Sequence, residues 1–160
     1  MAIATSTLTT TVSESVTLNG VAYGNTITKT HANVKEVRQS VVTIPTSEKL
    51  LYKTAASAGT GTSGLDLDHD LIKYVRLCNT DSTNHISLVL ENEDGDEFMY
   101  KINAGTTFIL GSHAESMEAT TAGADVTPGT YDGTSAITNV SAIANSASVD
   151  IELFIAIGSS

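Results

Sequence analysis

The sequence has no tryptophan and a single cysteine among its 160 residues. Because Cys78 has no partner in the sequence, it excludes an internal disulfide and a cysteine-based zinc site. No histidine or asparagine constellation accompanies it, so we interpret Cys78 as a small buried residue of a strand and not as a nucleophile.

Closely spaced histidines are also missing, and no His-x₃-His pair is present to indicate a zinc site. The four histidines are His31, His69, His85 and His113. His85 begins a run with clean alternation and falls on its polar side, so we expect a surface position for it.

Basic residues are scarce: 8 Lys and Arg stand against 18 Asp and Glu, which gives a net charge of −10. This balance argues against sequence-independent binding to nucleic acid and against anionic membranes, because both need positive side chains. It fits a protein kept soluble by its charge, or one that docks on a basic partner.

Long apolar runs are absent, and none approaches the ~20 residues of a membrane-spanning helix. The first fifteen residues contain neither a basic segment nor an apolar core, so we expect no secretion signal and synthesis in the cytoplasm.

What the chain does contain in abundance is threonine and serine, with short alternating apolar runs that favour strands over helices. We predict an all-β protein, an antiparallel β-sandwich. One domain over residues 12–160 is expected to follow an N-terminal arm, residues 1–11, that is either extended or disordered.

Residues 12–18 alternate, with Val12, Glu14, Val16 and Leu18 on one side. Asn19-Gly20 is a strong hairpin signal, and residues 21–30 are predicted to be the partner strand, with a bulge or a turn at Gly24-Asn25. Further strands are predicted over residues 32–44, where a helical turn is the alternative at 32–38, and over 49–54, where Leu51 and Tyr52 are candidate core residues.

The segment 70–110 has the clearest pattern: four apolar runs separated by three turns predict an antiparallel meander. Its turns are the polar stretch 79–84, Asp94-Gly95, which favours type I′, and Ala104-Gly105. One face of the meander is expected to cover the core.

Residues 112–147 are rich in Ala, Thr and Gly, and are predicted to form a long loop excursion in which residues 136–143 could be a strand. Residues 148–157 give the clearest single strand. Its inward side chains are predicted to be Val149, Ile151, Leu153, Ile155 and Ile157.

Three carboxylates at alternate positions, Asp66, Asp68 and Asp70, resemble the start of a calcium loop. An EF-hand loop starting at Asp66 would need Gly and Glu at its sixth and twelfth positions, which here are Leu71 and Leu77. We therefore expect a solvated acidic loop and predict no metal site.

Other chemical motifs are weak. Residues 59–64 match Gly-x-Gly-x-x-Gly, but the spacing lacks the preceding strand and following helix of a dinucleotide site. No Gly-x-Ser-x-Gly elbow is present. The acidic cluster 91–97 is predicted to be a solvated hairpin tip, and the scarcity of aromatics weighs against a glycosidase or lectin. We predict no catalytic, cofactor-binding or metal-ligating residue.

The segment 72–110 contains Tyr74, Arg76, Asn79 and Asp81 in a predicted strand and turn, then a predicted β-hairpin, and an Ala-Gly-x-x-Phe turn at Ala104, Gly105 and Phe108. In these motifs it resembles small virion proteins of tailed phages. This resemblance covers about half of the chain, and its motifs are structural. The resemblance implies a jelly-roll-like sandwich that decorates a capsid or belongs to the tail or neck.

Three hypotheses follow. The first is a non-enzymatic capsid decoration or cement protein in the virion, an oligomer with a trimer favoured, which bridges subunits of the major capsid protein through residues 1–11 and 112–147. The second is a tail, neck or fibre component. The third, of a different class, is a glycan-binding module or hydrolase that uses Asp94 or Asp96.

Overall fold

Two five-stranded sheets packed face to face form the body of the protein. The computed structural model describes residues 5–55, 66–111 and 136–159. Its strands are β1 (Ser6–Ser13), β2 (Val16–Leu18), β3 (Val21–Tyr23), β4 (Thr26–Ile44), β5 (Lys49–Ala55), β6 (Leu67–Asp68), β7 (Ile72–Asn79), β8 (Ile86–Asn92), β9 (Glu97–Ile102), β10 (Thr107–Leu110), β11 (Ile137–Ala144) and β12 (Val149–Gly158). The predicted all-β, antiparallel sandwich is confirmed.

The strands are nested like a jelly roll. The first sheet has the order β1-β4-β12-β7-β10 and the second has the order β6-β5-β11-β8-β9. From β4 onward, early strands pair with late strands in a nested order, so that each pair encloses the next. The pairs are β4 with β12, β5 with β11, β7 with β10, and β8 with β9. This doubling back over two sheets is the jelly-roll arrangement, as expected.

The predicted meander over residues 70–110 is wrong in its pairing. All four runs form strands, but β7 and β10 lie in the first sheet while β8 and β9 lie in the second. The chain crosses between sheets in the turn that follows Asn79. In a meander β8 would lie beside β7, but here β12 occupies that position. The prediction failed because alternation shows which side of a strand is buried and does not show which strand lies beside it.

The last strand and the strand within the excursion are the centres of the two sheets. In β12 the five side chains predicted to face inward are all buried. The strand offered for residues 136–143 is confirmed as β11, which lies between β5 and β8 with Val140 and Ala142 fully buried. The remainder of the excursion, residues 112–135, lies outside the described residues.

Several local predictions are also settled. The strand interpretation of residues 32–44 is confirmed, since they belong to β4, which ends before Pro45. Leu51 and Tyr52 are partly buried and pack against the main core.

The turn at Asp94-Gly95 is not type I′. That type needs positive φ at both central residues, and here only Gly95, at φ +82°, has it. The turn is instead a three-residue loop closed by hydrogen bonds between Asn92 and Asp96.

Candidate functional site

The most unusual feature of the molecule is one long β-hairpin formed by residues 8–31. The pairing starts at Leu8 with His31, passes through β1 and β4, and continues through β2 and β3 to Leu18 with Val21. The backbone N–H of Glu14 donates to the carbonyl of Asn25 at 2.8 Å, which carries the same register across the gap between the strand pairs. We call this element the hairpin. The bulge or turn predicted at Gly24-Asn25 is therefore wrong, since no residue is inserted there.

Local sequence explains the shape of the hairpin. Asn19 and Gly20 have φ of +52° and +79°, the conformation of a type I′ turn, which matches the twist of the flanking strands. Gly24, at φ +146°, lies so close to the other strand that a Cβ there would be 2.0 Å from the carbonyl oxygen of Glu14. Only glycine permits this approach, so the close contact and the unbroken register depend on it.

The two faces of the hairpin have opposite chemistry. Directly paired residues of an antiparallel ladder lie on one side of it, so the register assigns every side chain to a face. One face, which we call the hydroxyl face, consists of Thr9, Thr11, Ser13, Ser15, Thr17, Ala22, Thr26, Thr28 and Thr30. The other, the apolar face, carries Leu8, Val12, Val16, Leu18, Val21, Tyr23 and Ile27, together with the polar residues Thr10, Glu14, Asn25, Lys29 and His31.

On the hydroxyl face, hydroxyl groups bond to one another across the strands. Ser13 Oγ lies 3.1 Å from Thr26 Oγ1, and Thr11 Oγ1 lies 3.4 Å from Thr28 Oγ1. Because these groups partly satisfy each other and are also open to water, the hydroxyl face needs no covering surface.

Much of the apolar face is also exposed, although its large side chains cannot hydrogen-bond to water through apolar atoms. Its large side chains Val12, Val16, Leu18, Val21, Tyr23 and Ile27 are between 51% and 64% exposed. A two-stranded hairpin is marginally stable in water by itself. Six exposed apolar side chains on one side of such an element therefore indicate a contact surface.

The base of the hairpin lies over the outer face of the first sheet. Leu8 packs against a small cluster formed by Val34, Tyr74 and Ala156, with Phe154 beside it. Between the hairpin and the sheet is a cleft of about 290 Å³, lined by Leu8, Thr9, Thr10, Thr11, Val12, Tyr74, Arg76, Ile109 and Phe154.

The polar groups of this cleft are neutralised by their neighbours. Arg76 forms an ion pair with Glu152, and its guanidinium carbon lies 5.9 Å from the centre of the Phe154 ring. Gln39 donates a second hydrogen bond to Glu152 at 3.2 Å. Because its charge is already matched by Glu152, Arg76 is a poor anchor for an anionic ligand.

His31 closes the base of the hairpin and was not singled out by sequence reasoning. It is buried, and its ring centre lies 5.7 Å from that of Tyr74. Its Nε2 has no hydrogen-bond partner among the described residues. Burial, reinforced by the charge of Lys29, lowers the pKa of His31. The alternation of residues 27–31 could have placed His31 on the same face as Ile27.

The three aspartates of the suspected cation loop differ in their burial and in their local bonding. The side chain of Asp68 accepts a hydrogen bond from the backbone N–H of Asp70 at 3.0 Å and caps a short 3₁₀ turn over His69–Leu71. Asp66 is buried, so the expectation of a solvated loop is wrong for this residue, while Asp70 is exposed. Within the described ranges, no group of three His, Cys, Asp or Glu side chains could hold a metal ion.

The acidic cluster 91–97 is solvated at Glu93, Asp94 and Glu97, as expected, whereas Glu91 and Asp96 are half-buried. The backbone N–H of Asp96 is bonded to the Asn92 side chain at 2.8 Å.

Cys78 was predicted to be buried, but it is half-buried, because it points to the outer side of β7. His85 is half-buried and precedes β8. His113 and the glycine motif at residues 59–64 lie outside the described residues.

A second groove, of about 410 Å³, lies on the outer face of the second sheet. It contains two carboxylates: Glu48 accepts a hydrogen bond from Ser141, and Glu91 accepts one from Asn139, each at 2.5 Å. Its described lining is Glu48, Leu50, Lys53, Val89, Glu91, Asn139 and Ser141, and none of these is aromatic. The groove therefore lacks the ring platform that a sugar site would use.

The residues that carry the resemblance to phage proteins hold the architecture together. Asn79 is fully buried where the chain leaves the first sheet, and its amide donates to the carbonyls of Asn84 and Ile102 at 2.9 and 3.3 Å. Asp81 accepts hydrogen bonds from the backbone N–H groups of Asn84 and Thr83, which lower its pKa.

The Ala104-Gly105 turn completes this corner. Gly105 has φ +69°, and its N–H donates to the carbonyl of Asn79 at 3.1 Å. The ring of Phe108 lies 5.4 Å from that of Tyr100, so it joins the edge strands of the two sheets.

No family model, curated protein or solved structure matches this chain. In the part of the chain that is described, no helix is long and apolar enough to span a membrane.

Proposed function

We propose that this chain is a non-enzymatic structural protein of a phage particle, a capsid decoration protein that stabilises the head by bridging capsid subunits. The observation that carries the proposal is the apolar face of the hairpin, which the described chain leaves largely uncovered. Covering such a face releases water from apolar surface and is favourable, so this element is suited to binding a protein surface.

The fold supports the same proposal. Jelly rolls are frequent in viral capsid proteins, although they also occur in lectins, and a fold does not by itself determine a function. In this chain the motif residues Tyr74, Asn79 and Asp81 serve the sheet surface and the corner between sheets. Those roles are structural, which agrees with a protein whose work is contact.

The mechanism is thermodynamic linkage. A protein that binds the assembled shell, and not its separated subunits, makes disassembly less favourable by the free energy of its own binding. The body would sit on the shell as a homo-oligomer, with a trimer favoured, and its partners would be the major capsid protein or other virion proteins. Residues 6–11 of the expected arm belong to β1 and are therefore part of a strand of the first sheet.

The proposal is tested by the copy number of the chain in purified particles, measured by quantitative mass spectrometry against the major capsid protein. A decoration protein is expected in a fixed ratio to the capsid protein, at many copies per particle. A few copies per particle would indicate a tail or neck component instead. Absence from the particles would overturn a virion role altogether.

A further inference from the structure

The distal half of the hairpin is an exposed apolar surface over which the described chain places no covering element. Beyond Glu14, the apolar face consists of Val16, Leu18, Val21 and Tyr23, which form two adjacent cross-strand pairs. All four side chains are more than half exposed. The proximal half, by contrast, partly lies over the first sheet through Leu8.

The charge of the hairpin identifies the partner that fits. Within residues 8–31 the only formally charged side chains are Glu14 and Lys29, of opposite sign, whereas the whole chain carries −10. Two copies of so acidic a protein repel each other over most of their surface, and least where that surface is neutral. A basic partner, in turn, would be drawn to the acidic body and would gain little from a neutral hairpin.

The pattern of the hairpin is that of a sheet with one side in a core and the other in water. In this chain the hydroxyl face already has the character of a solvated side, since its hydroxyls bond across the strands. Among the described residues, no core covers the distal part of the apolar face. The hairpin of a second copy carries the same neutral, apolar side chains and is therefore a self-complementary surface for this face.

We infer that copies of this chain self-associate through the distal apolar face of the hairpin, with Val16, Leu18, Val21 and Tyr23 of each copy packed against the same residues of its neighbours. The hydroxyl faces then point outward. This deepens the proposed function and rests on it for the biological setting: the hairpins form the centre of the oligomer that sits on the shell. The sequence predicted a homo-oligomer without indicating its interface, and this inference places the interface on the hairpin.

The test is the mass of the purified full-length chain in solution, measured by light scattering or native mass spectrometry over a range of concentrations. The wild-type chain is expected at a fixed multiple of 16.7 kDa. Changing Val16, Leu18, Val21 and Tyr23 together to Thr, the residue that dominates the hydroxyl face, should give a folded species of 16.7 kDa. A wild-type monomer at all concentrations, or an unchanged mass in the fourfold variant, overturns the inference.

A matched control makes the same number of changes on the opposite face. The control carries Thr11→Ser, Thr17→Ser, Ala22→Ser and Thr28→Ser, of which the three Thr→Ser changes lower strand propensity. None of the four touches the apolar side chains, so the wild-type mass should persist. Loss of the oligomer in this control as well would show that hairpin stability alone governs the mass, and would count against a specific apolar contact.

Cross-linking gives a second measurement that does not depend on disrupting the oligomer. In a Cys78→Ser background, Leu18→Cys places a thiol on the apolar face, and Thr17→Cys places one on the hydroxyl face. Mild oxidation should give disulfide-linked dimers of the first variant in several-fold excess over the second. Equal yields would contradict the inference. Because no particle is used, failure here leaves the virion role open, and failure of the copy-number test leaves self-association standing.

Discussion

At the scale of single residues, burial determines which titratable groups make the stability of the fold depend on pH. His31 differs from the exposed side chains around it because its ring is enclosed between the hairpin and Tyr74, with Nε2 unbonded among the described residues. Protonation would place a charge there without a partner. The neutral form is therefore favoured in the folded hairpin, and the base of the hairpin is coupled to pH.

The sign of this coupling follows from the lowered pKa. In the unfolded chain His31 titrates near 6.5, and in the folded chain below that value. The stabilisation is fully present above pH 6.5 and is lost as the pH falls from there through the folded pKa. Amide hydrogen exchange in residues 8–12 and 27–31 should therefore be faster at pH 5.5 than at pH 7.5, after correction for intrinsic rates, by up to about tenfold for each unit of the pKa difference.

The variant His31→Phe keeps an aromatic ring beside Tyr74 and removes the titration, so the corrected exchange should no longer depend on pH. His85→Gln, far along the chain from the hairpin, is the control and should behave like the wild type. An equal pH dependence in wild type and His31→Phe would show that another group is responsible.

At the scale of elements, the hairpin shows what sequence can and cannot predict. Asn19-Gly20 and the alternation after Val12 were sufficient to predict its turn and strands, because both signals are local. The sequence did not show that the register continues past Gly24, since that depends on a close backbone approach between two strands. It also did not show that the apolar face would be uncovered, which depends on where the rest of the chain packs.

The close approach at Gly24 makes a sharp prediction. In Gly24→Ala the new methyl group would clash with the backbone carbonyl of Glu14, and the backbone at φ +146° disfavours any side chain. The strain is of order 1–3 kcal/mol. It should open the distal hairpin, so that amides of residues 16–23 exchange faster, while those of β4 paired with β12 keep their protection. Ala22→Ser, two residues away and exposed, is the control and should leave exchange unchanged.

At the scale of the whole molecule, the predicted sandwich and the inward side of β12 were confirmed, and the predicted meander was not. The alternation of residues 148–157 determines which side chains are buried, whereas the neighbours of each strand come from pairings between residues far apart in sequence, such as Ile151 with Val42 and with Asn79. The local sequence pattern of residues 70–110 does not distinguish a meander from the observed arrangement, in which β7 pairs with β10 in one sheet and β8 pairs with β9 in the other.

Asn79 lies where the chain passes from the first sheet to the second. It is the last residue of β7, it is fully buried, and its side chain joins three segments: it donates to the carbonyls of Asn84 and Ile102, and its oxygen accepts from the N–H of Asp81 at 3.0 Å. Ile102 ends β9 in the opposite sheet. One amide therefore links the end of a strand in the first sheet to a strand in the second.

Replacing Asn79 by Ala should destabilise the whole body and not just the turn. The carbonyls of Asn84 and Ile102 and the N–H of Asp81 would lose this partner; the bond to Ile102 is buried and the other two are partly buried. Each unsatisfied buried group costs roughly 1–3 kcal/mol. Part of this is recovered where water enters, so we expect a loss of about 2–4 kcal/mol in the free energy of unfolding, measured by urea denaturation. Asn145→Ala, an exposed position whose backbone alone bonds to His85, should change it by less than about 0.5 kcal/mol. If Asn79→Ala were as mild as Asn145→Ala, the corner would be held by the strand ladders alone, and the assignment of β7 and β8 to opposite sheets would follow from the pairing of β12 without help from this side chain.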